Sequence, residues 1–362
     1  MFRLEVLPAR YGDCLLIEYG SSSIHRVLID GGATGVYKRS LKPRLQLIDD
    51  AERKNFELLI VTHVDFDHIK GILELVQDDD LEFAAKDVWF NGYRHIPKPN
   101  TEHEILAGKH GEELTDLLLQ AGQNWNQIGF SGEAVVVPNE PADLPVVELD
   151  GGLTLTMLAP TIPVLAELLE DWEKSCRDLE KTPEELEEAR EQGRFELLGD
   201  DEADDESALP DIETLLERPF KEDHSAANGS SIAVLAEYEG TRVLLGGDAH
   251  PTQLVETITR LGEGRLKLDA CKLPHHGSRG SVSVDLIKAL DCKNYIFSTN
   301  GDQFNHPHQE AVARVIRYGG KGVKLHFNYL SDETKVWSNE RLQKEHSYTA
   351  VYPQGLDFQW EN

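Results

Sequence analysis

The sequence predicts an α/β fold in which two β-sheets pack together with helices on the outside. Strand-forming runs recur in both halves of the 362-residue chain. Each half also ends in segments of helical spacing, a pattern that layers helices over paired sheets. A further sign is that Asp and His side chains cluster just after several of these strands, next to glycine, where α/β folds build their sites.

The first strands are read at Met1–Leu7 and Cys14–Tyr19, with a turn at Tyr11-Gly12-Asp13 between them. A third strand from Arg26 ends in Asp30-Gly31-Gly32, where glycine lets backbone pass close to a neighbouring loop. Residues 37–55 read as helical. Phe56–Thr62 is apolar and β-branched enough for a buried strand, and Ile69–Val76 has helical spacing. A short strand follows at Asp87–Asn91, then polar loops and a helix near Glu112–Ala121 within a polar insertion near 92–139. Gly152–Ala159 alternates and stops at Pro160. Beyond it, Ser231–Tyr238 and Arg242–Gly246 form a hairpin ending in Gly247-Asp248. Helices are expected at 284–289 and 310–318, and strands at 295–299 and near 323–327, 335–338 and 348–352. The boundaries expected are a single domain over 1–362, with an N-terminal half at 1–160, an acidic insertion at 161–227 and a C-terminal half at 228–362.

A hydrophobic content of 40% fits a globular core, and no apolar run approaches the roughly 18–20 residues of a membrane span. Cys14, Cys176, Cys271 and Cys292 form no Cys-x-x-Cys pair, which suits reduced thiols in a cytoplasm. The N-terminus lacks the basic and apolar regions of a signal peptide, so a cytoplasmic location without membrane attachment is expected. The formal charge is -29, and residues 167–224 carry 23 acidic against 7 basic side chains. Within that stretch Trp172–Arg194 has helix-forming composition, while the acidic run 199–206 lacks apolar periodicity and is expected to be mobile. A solvated face is its simplest use, and a protein partner for this arm is the other.

The densest chemistry lies in Thr62-His63-Val64-Asp65-Phe66-Asp67-His68, which places four metal-competent side chains within six positions. Charged and imidazole groups crowd in this way where a cation neutralises them. Helix capping accounts for one Asp and not for the whole set. With Gly247-Asp248 and Pro274-His275-His276-Gly277-Ser278, the residues supply enough ligands for two cations.

These motifs resemble the metallo-β-lactamase superfamily, and within it the hydrolase domain of the competence DNA-uptake protein ComEC and its stand-alone relatives. The resemblance also draws on Gly12–Glu18, Leu28–Gly32, Asn228-Gly229-Ser230-Ser231, Leu244–Ala249, Lys272–Ser278 and Asn305–His308. It implies an αββα sandwich with two divalent metal ions, zinc or manganese, at one edge. Position by position it implies that His63 and Asp65 hold the first metal and that Asp67, His68 and His276 hold the second. Asp248 would bridge both, and Asp30 would support the ligands from behind. His276 is preferred to His275 as the ligand, which leaves His275 facing substrate, although the two could be exchanged. The commonest family pattern has His where this chain has Asp65. Its third His of the first site has no clear counterpart, and Asn228 is the best candidate for that place. An oxygen-rich first site should weaken zinc preference and admit Mn²⁺ more readily.

A dinuclear site yields a metal-bound hydroxide near neutral pH and absorbs charge in the transition state. The expected catalytic groups are Asp67, with His308, His306 or His275 as proton donors to a leaving group. The leading expectation is a phosphodiesterase or nuclease. The excess of acidic residues opposes polynucleotide binding, which draws on Lys and Arg, although a local strip such as Arg39, Lys42 and Arg44, or Lys272 and Arg279, could suffice. A hydrolase of a small ester, lactone or nucleotide is the alternative. The third reading, of a different class, is a non-catalytic interaction protein with a structural metal and an acidic arm.

Overall fold

A computed structural model describes residues 1–97, 109–140, 142–178, 209–262, 264–352 and 356–360. The first sheet contains β1 (Phe2–Val6), β2 (Leu15–Tyr19), β3 (His25–Ile29), β4 (Leu58–Ile60) and β5 (Val88–Trp89). The second contains β6 (Val146–Glu148), β7 (Thr154–Ala159), β8 (Ala233–Tyr238), β9 (Thr241–Leu245), β11 (Ala270–Lys272), β13 (Asn294–Phe297), β14 (Val323–Phe327) and β15 (Tyr348–Val351). A small separate pair is made by β10 (Leu266–Leu268) and β12 (Leu290–Cys292), and β16 (Leu356–Trp360) returns to the first sheet.

The strand orders are β16-β1-β2-β3-β4-β5 and β15-β14-β13-β11-β9-β8-β7-β6. Each sheet changes character part way across. In the first, β16 to β3 pair antiparallel and β3 to β5 parallel. In the second, β6 to β9 pair antiparallel and β9 to β15 parallel. Helical crossovers are what parallel pairing demands, and they supply the two outer layers. The architecture is an αββα sandwich.

Three cores match these layers. Between the sheets, Leu4, Ile17 and Trp89 meet Leu155, Val234 and Ile296. Outside the first sheet, Leu16, Leu28 and Leu59 pack on Ile69, Ile72 and Leu73 of the helix Phe66–Val76. Outside the second, Leu235, Leu244 and Tyr295 pack beneath helices at Pro251–Arg260, Val284–Ala289 and Gln309–Tyr318. Strands covered on both faces read as continuous apolar runs, which is why β2 and β4 are buried at every position. Among the described residues no helix is long and apolar enough to cross a membrane, and Cys14, Cys271 and Cys292 are buried free thiols.

Several expectations are corrected. Residues 37–55 are not one helix: helical backbone runs through Tyr37–Leu41 and Lys42–Leu45, stops after Leu45, and a separate turn at Asp50–Arg53 begins where the Asp49 carboxylate accepts from the Ala51 N–H. The stretch near 335–338 is helical rather than a strand. The Ser331 backbone N–H donates to Thr334 Oγ1 at 2.8 Å, which opens a helix at Asp332. The helix after the metal-competent cluster begins at Phe66, three residues before the helical spacing read from Ile69, so Asp67 and His68 lie in its first turn. The chain halves do not map one to one onto the sheets, since β6 and β7 join the second and β16 the first. A helix spans Ile162–Asp178; the expected continuation to Arg194 and the acidic run 199–206 lie outside the described residues.

Glycine contacts hold the cluster against its neighbours. The Gly31 N–H donates to His68 O at 2.8 Å and the Gly71 N–H to Gly32 O at 3.0 Å. A Cβ on Gly71 would stand 1.8 Å from Gly31 O, and one on Gly12 would stand 1.8 Å from Asp67 O. Backbone cannot yield there as a flexible side chain would. Gly71→Ala should therefore destabilise the fold by about 1–3 kcal/mol or more, as overpacking does. It would be seen as a lowered denaturation midpoint, while an unchanged midpoint would show that the helix can shift without cost.

Candidate metal centre

The parallel strands deliver their carboxyl ends to one edge, and the chemistry is collected there. Asp30 follows β3, Thr62 and His63 follow β4, Asp248 follows β9, His275 and His276 follow β11, and Ser298 follows β13. The antiparallel strands β2 and β8 begin at the same edge, which adds Asp13, Asn228 and Ser231. Asp65 occupies the N-cap of the helix at Phe66, yet its carboxylate makes no capping bond. It is thereby left for another partner.

The side chains converge on the Asp248 carboxylate. Asp248 Oδ2 lies 3.3 Å from His68 Nε2 and 3.4 Å from His276 Nε2. His68 Nε2 and His276 Nε2 are 3.2 Å apart, and Asp67 Oδ2 stands 3.4 Å from His276 Nε2 and 3.9 Å from His68 Nε2. Ligand atoms about 2.0 Å from a tetrahedral ion lie roughly 3.3 Å from one another. His68, His276 and Asp248 therefore have the spacing of ligands on one such ion, and Asp67 lies beside them, nearer His276 than His68. Beside this group, His63 Nε2 lies 3.5 Å from Asp65 Oδ2 and 4.0 Å from Asp248 Oδ2. His275 Nε2 is also 4.0 Å from Asp248 Oδ2. This second grouping is looser, and Asp65 is 41% exposed at its mouth.

Each imidazole is aimed by its other nitrogen. His68 Nδ1 bonds Asp30 Oδ2 at 2.8 Å, and Asp30 in turn accepts from the Thr62 backbone N–H and hydroxyl. His63 Nδ1 meets Ser231 Oγ at 2.9 Å, and His276 Nδ1 donates to Ser298 O at 2.9 Å. His275 Nδ1 meets Asp223 Oδ2 at 3.0 Å. Such outer partners orient a ligating imidazole and raise its basicity. His275 and His276 both take left-handed backbone, with φ of 45° and 54°. This conformation is costly for a residue with a Cβ and is usual at functional sites.

The donor set fits metal ions. His63 Nε2 and Asp248 Oδ1 are buried without a hydrogen-bond partner. The Lys272 ammonium pairs with Asp13 and lies 3.8 Å from Asp248 Oδ1, while Asp67 stands on the other side of the imidazoles, 3.4 Å from His276 Nε2. Burial opposes protonation of His68 and His276, but the surrounding carboxylates, Asp248 foremost, hold both well above the ordinary imidazole range. Burial likewise opposes ionisation of Asp248, and His276 and His68 hold it well below the carboxylate range. Positive charge is thus strongly favoured at this point. Asp13 also lies within 4.8 Å of His68, Asp248 and His276. One of its oxygens is taken by Lys272 and the other faces the Nδ1 side of His276. It braces the centre from behind.

The structure thus brings Asp30, His63, Asp65, Asp67, His68, Asp248, His275 and His276 together. Asn228 stands on the His275 side, donating to Asp223 Oδ2 at 2.6 Å and lying 3.3 Å from His275 Nδ1. His306 packs edge-to-face between His275 and His308, with ring centroids 5.0 and 4.7 Å away. Burial and neighbouring imidazoles hold it well below the ordinary range. His308 Nδ1 accepts from the Arg279 backbone N–H at 3.0 Å. Three participants escaped the sequence reading. Asp13 repeats the Gly-Asp pairing of Gly247-Asp248, which could have flagged it, and Lys272 was weighed only as a surface cation. Asp223, lowered to about 2 against its burial by the bond to His275, has no motif around it.

No family model matches the chain. A stretch of 111 residues is 28% identical to ComE operon protein 3 of Bacillus subtilis, covering 30% of this chain and 14% of that protein. The chain therefore spans a small part of that relative. Among solved structures it is similar to the short form of human tRNase Z, with 10% identity, 99% of each chain covered and a TM-score of 0.40. It is also similar to Zn²⁺-bound PqqB from Methylobacterium extorquens, with 11% identity, 95% and 87% coverage and a TM-score of 0.38. The strand order and layering described above are those of the αββα sandwich that the metallo-β-lactamase resemblance implied.

Asp30→Asn keeps the side chain's size and removes the charge that holds His68 Nδ1–H. Metal affinity should fall by roughly 10–100-fold, the usual cost of losing an outer-shell partner. Competition with a chelator on the purified protein measures it, and an unchanged affinity would remove Asp30 from the centre's support.

Proposed function

We propose that the chain is a metal-dependent hydrolase of phosphodiesters. The observation that carries this reading is the pair of abutting donor groups that share Asp248 Oδ2, with His63 Nε2 beside them buried and unbonded. Asp67, His68, His276 and Asp248 would hold one divalent ion, and His63, Asp65 and Asp248 would hold another with His275 on its far flank. Such ions supply Lewis acidity and lower the pKa of water bound to them. The chain's own groups do the rest. Asp30, Ser231 and Ser298 fix the imidazoles, and the sheet edge keeps bulk water from behind the site. His308 is assigned as donor to the leaving oxygen, because an Nδ1 that accepts a backbone N–H keeps its proton on Nε2.

The surface favours a small phosphodiester or nucleotide over a long nucleic acid. Lys42 pairs with Asp78, and Arg44 with Glu5 and Glu18, so most of the basic strip near the site is already neutralised. Only Arg39 of that strip stays without a partner among the described residues. Few phosphates could be neutralised at once, and polynucleotide affinity depends on that number.

With Mn²⁺ or Zn²⁺ the protein should hydrolyse bis-p-nitrophenyl phosphate, and a chelator should stop it. Asp67→Ala and Asp248→Ala should reduce the rate to that of the metal-free protein while circular dichroism stays native. Retained turnover in either variant would remove the metal mechanism, and a preference for p-nitrophenyl acetate would favour a carboxylic ester. Asp65→His should move the Mn²⁺/Zn²⁺ activity ratio toward zinc as imidazole replaces carboxylate. A constant ratio would mean that Asp65 does not set the metal.

A further inference from the structure

We propose that an open cavity beside the metal centre binds a second phosphate of the substrate, an inference that rests on the phosphodiesterase reading and narrows its substrate class. The cavity measures about 510 Å³ and is lined by Arg10, Arg39, Ser40, Asn300, Asp302 and Tyr329, together with backbone near Pro8 and Gly35. This volume lies within the usual range for small-ligand sites. It is joined to the metal centre by the shortest of links. Arg10 is two residues from Gly12, whose Cα hydrogen side abuts the Asp67 backbone. The two Cα atoms are therefore at most about 7.6 Å apart. Asn300, whose backbone N–H bonds Arg10 O, is two residues from Ser298, which holds His276.

The chemistry of the lining is that of an anion site. Arg39 is exposed, and among the described residues no hydrogen bond or ion pair engages its guanidinium. Arg10 reaches Thr34 O and Asp302 Oδ2 only at 3.4 Å, contacts long enough to be exchanged for a better acceptor. Asp302 subtracts one charge, but its nearer bond is to Asn300 Nδ2 at 2.6 Å, and two guanidinium groups still exceed it. The Arg10 backbone is held in the left-handed region at φ 62°, its N–H donating to Tyr329 Oη at 2.9 Å and its carbonyl accepting from the Asn300 N–H at 2.8 Å. Two of the cavity's own walls thus impose a strained conformation on the residue between them, and fix where its side chain departs. Guanidinium groups suit phosphate because their planar donors match its oxygens. The occupant is the phosphate next to the scissile one, so the substrate is a short nucleotide carrying at least two phosphates.

The test uses the Mn²⁺-loaded protein and thymidine 3′,5′-bisphosphate, which contains no diester and stays intact. Calorimetry should find it bound more tightly than inorganic phosphate, and Arg39→Gln should weaken it about tenfold or more, the loss of one charge-assisted bond. In parallel, the preference for a 5′-phosphorylated thymidine dinucleotide over bis-p-nitrophenyl phosphate should fall by a similar factor in Arg39→Gln, with Arg39→Lys between. Equal binding by wild type and Arg39→Gln overturns the proposal, as does inorganic phosphate binding as tightly as the bisphosphate. Should the Arg39 effect appear without hydrolysis of any diester, the anion site stands and the phosphodiesterase reading falls. Hydrolysis with no Arg39 effect has the reverse meaning.

Discussion

A buried excess of carboxylate is the constraint around which this molecule is arranged. Asp13, Asp30 and Asp248 are withdrawn from solvent, Asp67 stands half-buried beside them, and the Lys272 ammonium is set between Asp13 and Asp248. Unpaired buried charge is too expensive to persist, so compensation must come from cations. The two sheets meet at this edge because their parallel strands all end there. The glycines at 12, 31 and 71 let backbone come close enough for the carboxylates to share one centre. Fold and site are therefore one design problem, that of holding like charges together at a single edge.

The layers were legible in the sequence because their causes are local. Apolar runs mark doubly covered strands, those of the β8–β9 hairpin among them, and alternation marks β7. The segments that meet at the candidate centre were legible for another reason, since several metal-competent side chains in six positions have few other uses. What escaped depends on distance in three dimensions. Asp223 reaches His275 across 52 positions, and nothing in its neighbourhood announces the contact. The Lys272–Asp13 pair is equally silent, because a buried lysine and a surface lysine have the same letter. The misread stretch near 335–338 carries Val336 and Trp337, which suit a strand, yet the turn begun at Ser331 outweighs them. Where the structure describes no residues, as at 199–206, the composition alone speaks.

The acidic character of the chain acquires a more definite meaning from the ion pairs. Arg3 and Arg44 both bond Glu18, Arg26 joins the same carboxylate, and Lys42 is held by Asp78 and packed near Tyr37. These cations tie strands and turns to one another and contribute little field beyond a Debye length. A ligand approaching the edge therefore meets a surface that is negative overall, relieved where Arg10 and Arg39 face the open cavity. Selectivity of such a surface works by exclusion as much as by attraction.

The pairing of β16 with β1 sets Phe2 opposite Trp360. β1 must consequently wait for a strand that follows it by some 350 residues. Until then β1 presents an open edge on that side, a template for stray pairing. Contacts of such sequence separation are slow to form, and they leave partly folded chains exposed to aggregation while they wait. The first sheet is thus finished last, and a nascent chain stalled before β16 would carry His63, Asp65, Asp67 and His68 beside a sheet still lacking its border.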